Sequence, residues 1–86
     1  MTSPPRVVLI GKPDCHLCDV ARTVVETVCA EADQDFDELS VRDSPELMDR
    51  YGDYTPVVLV DGEQHDFWRI SADRLRAALA MPPRPQ

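Results

Sequence analysis

The apolar residues of the chain are grouped by period. Arg6 to Ile10 carries the unbroken run Val7, Val8, Leu9, Ile10. A β-branched and leucine-rich stretch with no polar interruption predicts a strand covered on both faces and therefore central in its sheet. From Cys15 to about Ala32 the spacing lengthens. Leu17, Val20, Ala21, Val24, Val25 and Val28 form a helix-period stripe, with Asp19, Arg22, Glu26 and Glu31 mostly opposite, which predicts an amphipathic helix. Phe36 to Val41 alternates and predicts a short second strand. Ser44 and Pro45 match a helix N-cap and first helical position, with Gly52 as the stop, so a second helix runs from Pro45 to about Tyr51. An apolar strand follows Thr55, and Asp61-Gly62 predicts a tight hairpin, because both central residues of such a turn need positive φ. The return strand runs through Trp68 and Ile70. In an extended run Phe67 and Trp68 face opposite ways, one into the core and one partly outward. Ser71 caps a last helix whose stripe Leu75, Ala78, Leu79 faces inward while Arg74 and Arg76 face water; the proline-rich residues 82–85 stop it.

The predicted order is β-α-β-α-β-β-α, an α/β chain. Strands joined through helices are expected to run parallel and the hairpin pair antiparallel, giving a four-stranded mixed sheet flanked by helices. At 86 residues the chain is read as one domain, residues 1–86, with its core at about 6–81 and both proline-rich ends frayed. The formal charge of -7 repels nucleic acid and anionic lipid at long range, so neither is expected as a partner. No stretch approaches the ~20 apolar residues of a membrane span, and the first residues lack the plan of a secretory signal. A cytoplasmic location and a monomer are the expectations.

Candidate chemistry concentrates in "PDCHLC", residues 13–18. Three cysteines do not make a disulfide-rich secreted scaffold, and only Cys15 and Cys18 are spaced as a motif. If the helix begins at Cys15, its free N–H groups and positive dipole end favour a thiolate there. Cys18, one turn on, is within bridging reach. Cys15 is then the attacking sulfur and Cys18 the resolving one. Asp14 and Asp19 oppose ionisation by like-charge repulsion. His16 is read as an exposed spacer that tunes the pair, and Cys29, near the apolar stripe, as a buried inert thiol. A zinc site would need His16 or Cys29 as further ligands, and Cys29 lies about three helical turns from Cys15; no metal site is expected.

"KPDCHLC" at residues 12–18 resembles the Lys-Pro-x-Cys-x-x-Cys segment of glutaredoxins, and "YTPVVLVDG" at 54–62 is similar to the family's cis-proline segment running into its hairpin. The resemblance covers about residues 6–80 and is nearest to the small bacterial glutaredoxin-like proteins. It implies a thioredoxin-like fold, with Pro56 cis and adjacent to the cysteine pair. It further implies that Lys12 assists thiol ionisation and contacts a glutathione carboxylate. Independently of the resemblance, Pro56 opens a strand and carries no N–H, so it can present the preceding backbone, Thr55, as an unpaired edge to a substrate chain. Asp73 stands near the place where the family's last helix meets the γ-glutamyl group. Many members carry Gly-Gly after the last strand, where this chain has "FWRIS", residues 67–71; Trp68, Arg69 and Ile70 change or fill that surface.

The leading functional expectation is a thiol-disulfide oxidoreductase that reduces protein disulfides or glutathione-mixed disulfides through Cys15 and Cys18. Glutathione enters as a co-substrate and no tightly bound cofactor is expected; re-reduction falls to glutathione or to a flavoprotein reductase. The alternative is a non-catalytic module that holds an iron-sulfur cluster or metal between two copies through Cys15. A third reading, a fold kept only for protein contacts, is disfavoured by the intact cysteine pair.

Overall fold

In the computed structural model, which describes residues 5–83, the apolar run at the start of the chain is the second strand of a four-stranded sheet. β1 (Val7–Gly11) leads to α1 (His16–Glu31), β2 (Phe36–Ser40), a short 3-10 turn at Val41–Asp43, α2 (Pro45–Tyr51), β3 (Val57–Val60), β4 (Glu63–Phe67) and α3 (Ala72–Ala80). The sheet order is β2-β1-β3-β4. β1 therefore lies inside the sheet, as its two-sided hydrophobicity requires. The expected fraying of the ends concerns residues 1–4 and 84–86, which lie outside the described residues.

Alternation along β1 divides the core. Val7 and Leu9 join Val58 and Val60 beneath α1 and α3, where Ala21, Val25, Val28, Leu75 and Leu79 complete the larger cluster. Ile10 and Val57 face the other way and pack with Val41, with Leu47 and Tyr51 of α2 closing over them. Side chains of successive strand residues point to opposite faces, so one strand supplies both layers.

The strand directions depart from expectation at β3. β1 and β2 are parallel, with Gly11 opposite Ser40. β3 is antiparallel to β1, with Val57 opposite Ile10 and Val60 opposite Val7. The reason is the length of the connection. A seven-residue helix spans only about 10 Å, so α2 carries the chain sideways past β1 without returning it along the sheet. The chain re-enters at the end it left, and a strand entering there must run back.

Local signals shape the remaining elements. Ser44 Oγ accepts from the Leu47 N–H at 3.2 Å with Pro45 at the first helical position. Asp61 and Gly62 adopt φ of 54° and 84°, the positive values the hairpin demands. Ser71 Oγ accepts from the Arg74 N–H at 3.2 Å. An ion pair that no motif signals ties three elements together. Arg6 donates to both carboxylate oxygens of Asp61, at 3.0 and 3.1 Å, and to the carbonyls of Ala78, Leu79 and Met81 at the end of α3.

α1 buries Cys18, Ala21, Val25, Val28 and Cys29. Leu17 and Val20, expected in the stripe, are exposed; the buried face is rotated toward the two sulfurs, which behave as small apolar groups. β4 also stops earlier than its hydrophobicity suggests. It ends at Phe67, Trp68 turns to φ 60°, and both rings are exposed rather than one facing the core. No helix among the described residues is long and apolar enough to cross a membrane.

Candidate functional site

The end of β1 and the start of α1 build the cysteine site. After Gly11, Lys12 and Pro13 lead into Asp14, which takes φ 55°, a left-handed value that an aspartate tolerates better than most residues. That turn delivers Cys15 as the N-cap of α1. Its sulfur accepts from the Cys18 N–H at 3.2 Å, and its carbonyl from the Asp19 N–H at 3.2 Å. The sulfur thus occupies the place of the usual cap oxygen, at the positive end of a 16-residue helix, where negative charge is stabilised. Cys15 and Cys18 are joined as a disulfide with Cα atoms 5.2 Å apart. Cys15 is partly exposed while Cys18 is buried, so an incoming sulfur meets Cys15 first.

Gly11 makes room for the inner sulfur. A Cβ at that position would stand 3.3 Å from Cys18 Sγ, tighter than ordinary van der Waals contact. On this side of the pair lies a depression of about 370 Å³ lined by Lys12, Cys18 and the ion-paired Arg22 and Glu38. Arg22 donates to Glu38 at 2.7 Å and to Asp19 at 3.0 Å. The Glu38 bond and then the Asp19 bond push the guanidinium pKa further upward. Asp19, expected to act on the thiols, is therefore also bound to a cation.

A second groove, of about 650 Å³, opens on the other side of Lys12. Leu17, Asp53, Thr55, Phe67, Trp68 and Arg69 line it. The Thr55-Pro56 peptide bond is cis. Since the β3 ladder begins with Val57 opposite Ile10, Thr55 and Pro56 lie at the sheet end where β1 runs out toward the cysteines, and the Thr55 backbone stands beyond the ladder. Thr55 is 7% exposed, and its Oγ1 is buried without a hydrogen-bond partner among the described residues.

The structure brings Lys12 and Thr55 into one groove, with Pro56 beside it. His16, the first residue of α1, is exposed and does not line either depression. Asp73 stands away from the groove; it pairs with Arg76 at 2.9 Å and its side chain is 95% exposed. Cys29 is buried and free, its thiol pKa pushed up by burial and secondarily by Asp35. Among the described residues, no three His, Cys, Asp or Glu side chains gather as a metal site.

Sequence reasoning missed Asp66. It is buried on β4 and its carboxylate accepts from the Phe67 N–H at 3.0 Å and the Ser71 N–H at 2.9 Å. The hydrogen bonds fix the turn that carries Trp68. The signal was weak, an acidic residue one position before an aromatic pair and five before a helix cap. Leu17 was placed in the core because its spacing fits the stripe, yet it forms part of the groove.

Comparison with known proteins bears on the family and the fold. The family described as "Glutaredoxin-like domain (DUF836)" matches residues 6–80. A Mycobacterium tuberculosis (strain ATCC 25618 / H37Rv) protein known as "Uncharacterized protein Rv0508" is 31% identical over 85 residues, covering 91% of this chain and 86% of its own. The X-ray structure of target protein XcR50 from X. campestris superposes with a TM-score of 0.71 at 32% identity, over 88% of this chain and 99% of that one. Thioredoxin 1 of Thermosipho africanus TCF52B, only 14% identical, shares the fold with a TM-score of 0.61 over 86% of this chain and 89% of its own. With its Cys15–Cys18 pair at the head of α1 and a match spanning nearly all of the described residues, the chain belongs to the glutaredoxin-like (DUF836) family and has a thioredoxin-like fold.

Proposed function

We propose that the protein is a thiol-disulfide oxidoreductase that reduces disulfides in proteins, or mixed disulfides with glutathione, by dithiol exchange. The observation that carries this reading is the placement of Cys15, a partly exposed sulfur capping a long helix, bridged to the buried Cys18. The capping N–H and the helix dipole favour thiolate at Cys15 over thiol.

The reduced pair acts in two steps. The Cys15 thiolate attacks one sulfur of the target disulfide; the target S–S bond breaks, a Cys15–target bond forms, and the departing thiolate takes a proton from solvent. The Cys18 thiolate, its proton given to solvent, then attacks Cys15 Sγ, forming the internal disulfide and releasing the second target thiolate, which is protonated in turn. Two electrons pass from the pair to the target. Two equivalents of a small thiol such as glutathione, or a flavoprotein reductase, restore the dithiol. Lys12 and Thr55 orient the substrate in the adjoining groove, where the Thr55 backbone, beyond the sheet ladder, offers hydrogen bonds to an extended segment. A reducing compartment such as the cytoplasm suits this direction of transfer.

Titration against a graded glutathione buffer tests the reading. One two-electron transition between roughly -120 and -270 mV is expected. Cys15→Ser should abolish exchange, while Cys18→Ser should trap the mixed disulfide. Equal reactivity of both single variants, or isolation of a coloured dimer whose absorption vanishes with Cys15→Ser, would refute it, the latter in favour of a cluster-holding module.

A further inference from the structure

Trp68 occupies a backbone conformation its own side chain disfavours. Its φ is 60°, in the left-handed region where a bulky residue is an outlier and glycine is at ease. The surroundings hold it there. Asp66 ties down the Phe67 and Ser71 N–H groups, and the Trp68 N–H donates to the Pro56 carbonyl at 2.8 Å. Backbone strain of this kind persists where the side chain has a use. Packing is a poor account of that use, because Trp68 is 53% exposed. Its ring meets Phe67 edge-on, with centroids 5.1 Å apart, and its Nε1–H donates to the Asp53 carbonyl at 3.4 Å. Together these contacts hold the indole upright as one wall of the groove that Thr55 also lines. Lys12 and Arg69 line the same groove, and neither forms an ion pair among the described residues. Asp53 and Asp66 line it as well, but the Asp66 carboxylate is taken up by the Phe67 and Ser71 N–H groups and lies 3.5 Å from Arg74, so the two unpaired cations are left to meet an acidic group of a target.

We propose that Trp68 is a specificity-determining residue. Its indole is the surface on which a large apolar or aromatic side chain of an extended target polypeptide lies, with a carboxylate of the same segment at Lys12 or Arg69 and the target disulfide at Cys15. The inference rests on the exchange reaction proposed above. It selects among its substrates, because glutathione has no side chain that an indole can cover.

The test uses disulfide-linked peptides that differ beside the cysteine, Phe against Ala and Glu against Lys. The wild-type protein should favour Phe over Ala by about tenfold in kcat/KM, the size expected for one aromatic contact with its burial. Trp68→Gly should bring that ratio within about twofold, and Trp68→Phe should restore most of it. Trp68→Gly should melt within about 3 °C of wild type, since relief of the backbone offsets the lost ring contacts. A readout independent of exchange uses the same peptides with serine in place of cysteine. Their binding to the reduced protein is followed by the emission of Trp68, the single tryptophan, and the Phe and Glu peptide should shift it to the blue. Binding with that preference but no exchange on any disulfide would overturn the proposed function and leave this inference standing. Exchange without a Phe preference, or a ratio that survives Trp68→Gly, would overturn the inference alone. A uniform fall for all peptides together with a large loss of melting temperature would also overturn it, making Trp68 a packing residue.

Discussion

Replacing Asp61 by asparagine separates charge from backbone at the point where three elements meet. Asp61 sits at φ 54°, which asparagine adopts equally well, so the hairpin should keep its shape. What is lost is the counter-ion of Arg6. The two side chains are 12% and 2% exposed, so the guanidinium is left in a nearly dry site. Removing one partner of such a pair costs about 3–5 kcal/mol. Arg6 retains its bonds to the Ala78, Leu79 and Met81 carbonyls, and asparagine keeps one acceptor oxygen, which brings the loss down to the lower limit of that range or just below it, about 2–3 kcal/mol. A domain of this size has roughly 4–13 kcal/mol in total, so the effect is large. With a urea slope of about 1 kcal/mol/M for a small domain, the unfolding midpoint should fall by about 2–3 M. Arg6→Met with Asp61→Asn should cost less than the sum of the single changes, because the double variant no longer strands a charge. A single-variant loss below about 1 kcal/mol, or strict additivity, would show that the pair behaves as an ordinary surface contact.

Three further outcomes follow from the geometry. Burial holds the Cys29 thiol above its ordinary value of 9.0, so the folded chain keeps a proton that the unfolded chain releases. Stability should be unaffected at neutral pH and decline as pH rises above 9 toward the raised folded value; urea midpoints of the oxidised protein between pH 7 and 10.5 should show it, and a Cys29→Ala variant with the same slope would contradict it. Gly11→Ala sets a methyl 3.3 Å from Cys18 Sγ and should cost about 1 kcal/mol while slowing closure of the internal disulfide in single-turnover quench; unchanged closure would mean the sulfur moves freely. Ser71→Ala removes the cap of α3 and should lower stability by about 1 kcal/mol, read as a shift in thermal midpoint, and no shift would mean that water serves the Arg74 N–H equally well.

Features decided by neighbouring residues were legible in the sequence. The Ser44-Pro45 start of α2, the Asp61-Gly62 turn and the Ser71 cap each depend on a few adjacent groups, and each appears where its chemistry asks. The direction of β3 was not legible, because it depends on how far a short helix carries the chain over the sheet. The rotation of α1 was hidden for a related reason: Leu17 and Cys18 both suit an apolar face, and contact with Gly11 at the end of β1 favours the smaller, sulfur-bearing one. At Trp68 the local rule points the wrong way. Hydrophobicity continues the strand, while Asp66 pulls the backbone into a turn through two N–H groups. The cysteine pair was plain from its spacing, but the groove beside it needed Lys12, Thr55 and Trp68, drawn from three separate stretches of chain.

The order β2-β1-β3-β4 leaves two outer strands whose outer rims pair with no further strand among the described residues and could template the stacking of further chains. Their sequences are FDELS and EQHDF, with Asp37 and Glu63 solvent-facing and Glu38 held in its ion pair with Arg22. Two copies meeting rim to rim would crowd like charges together, a device that keeps exposed strand borders from growing into amyloid-like ribbons. A small part of the acidity that sets the low isoelectric point thus doubles as insurance against aggregation, and neutralising Asp37 and Glu63 should make concentrated solutions turbid.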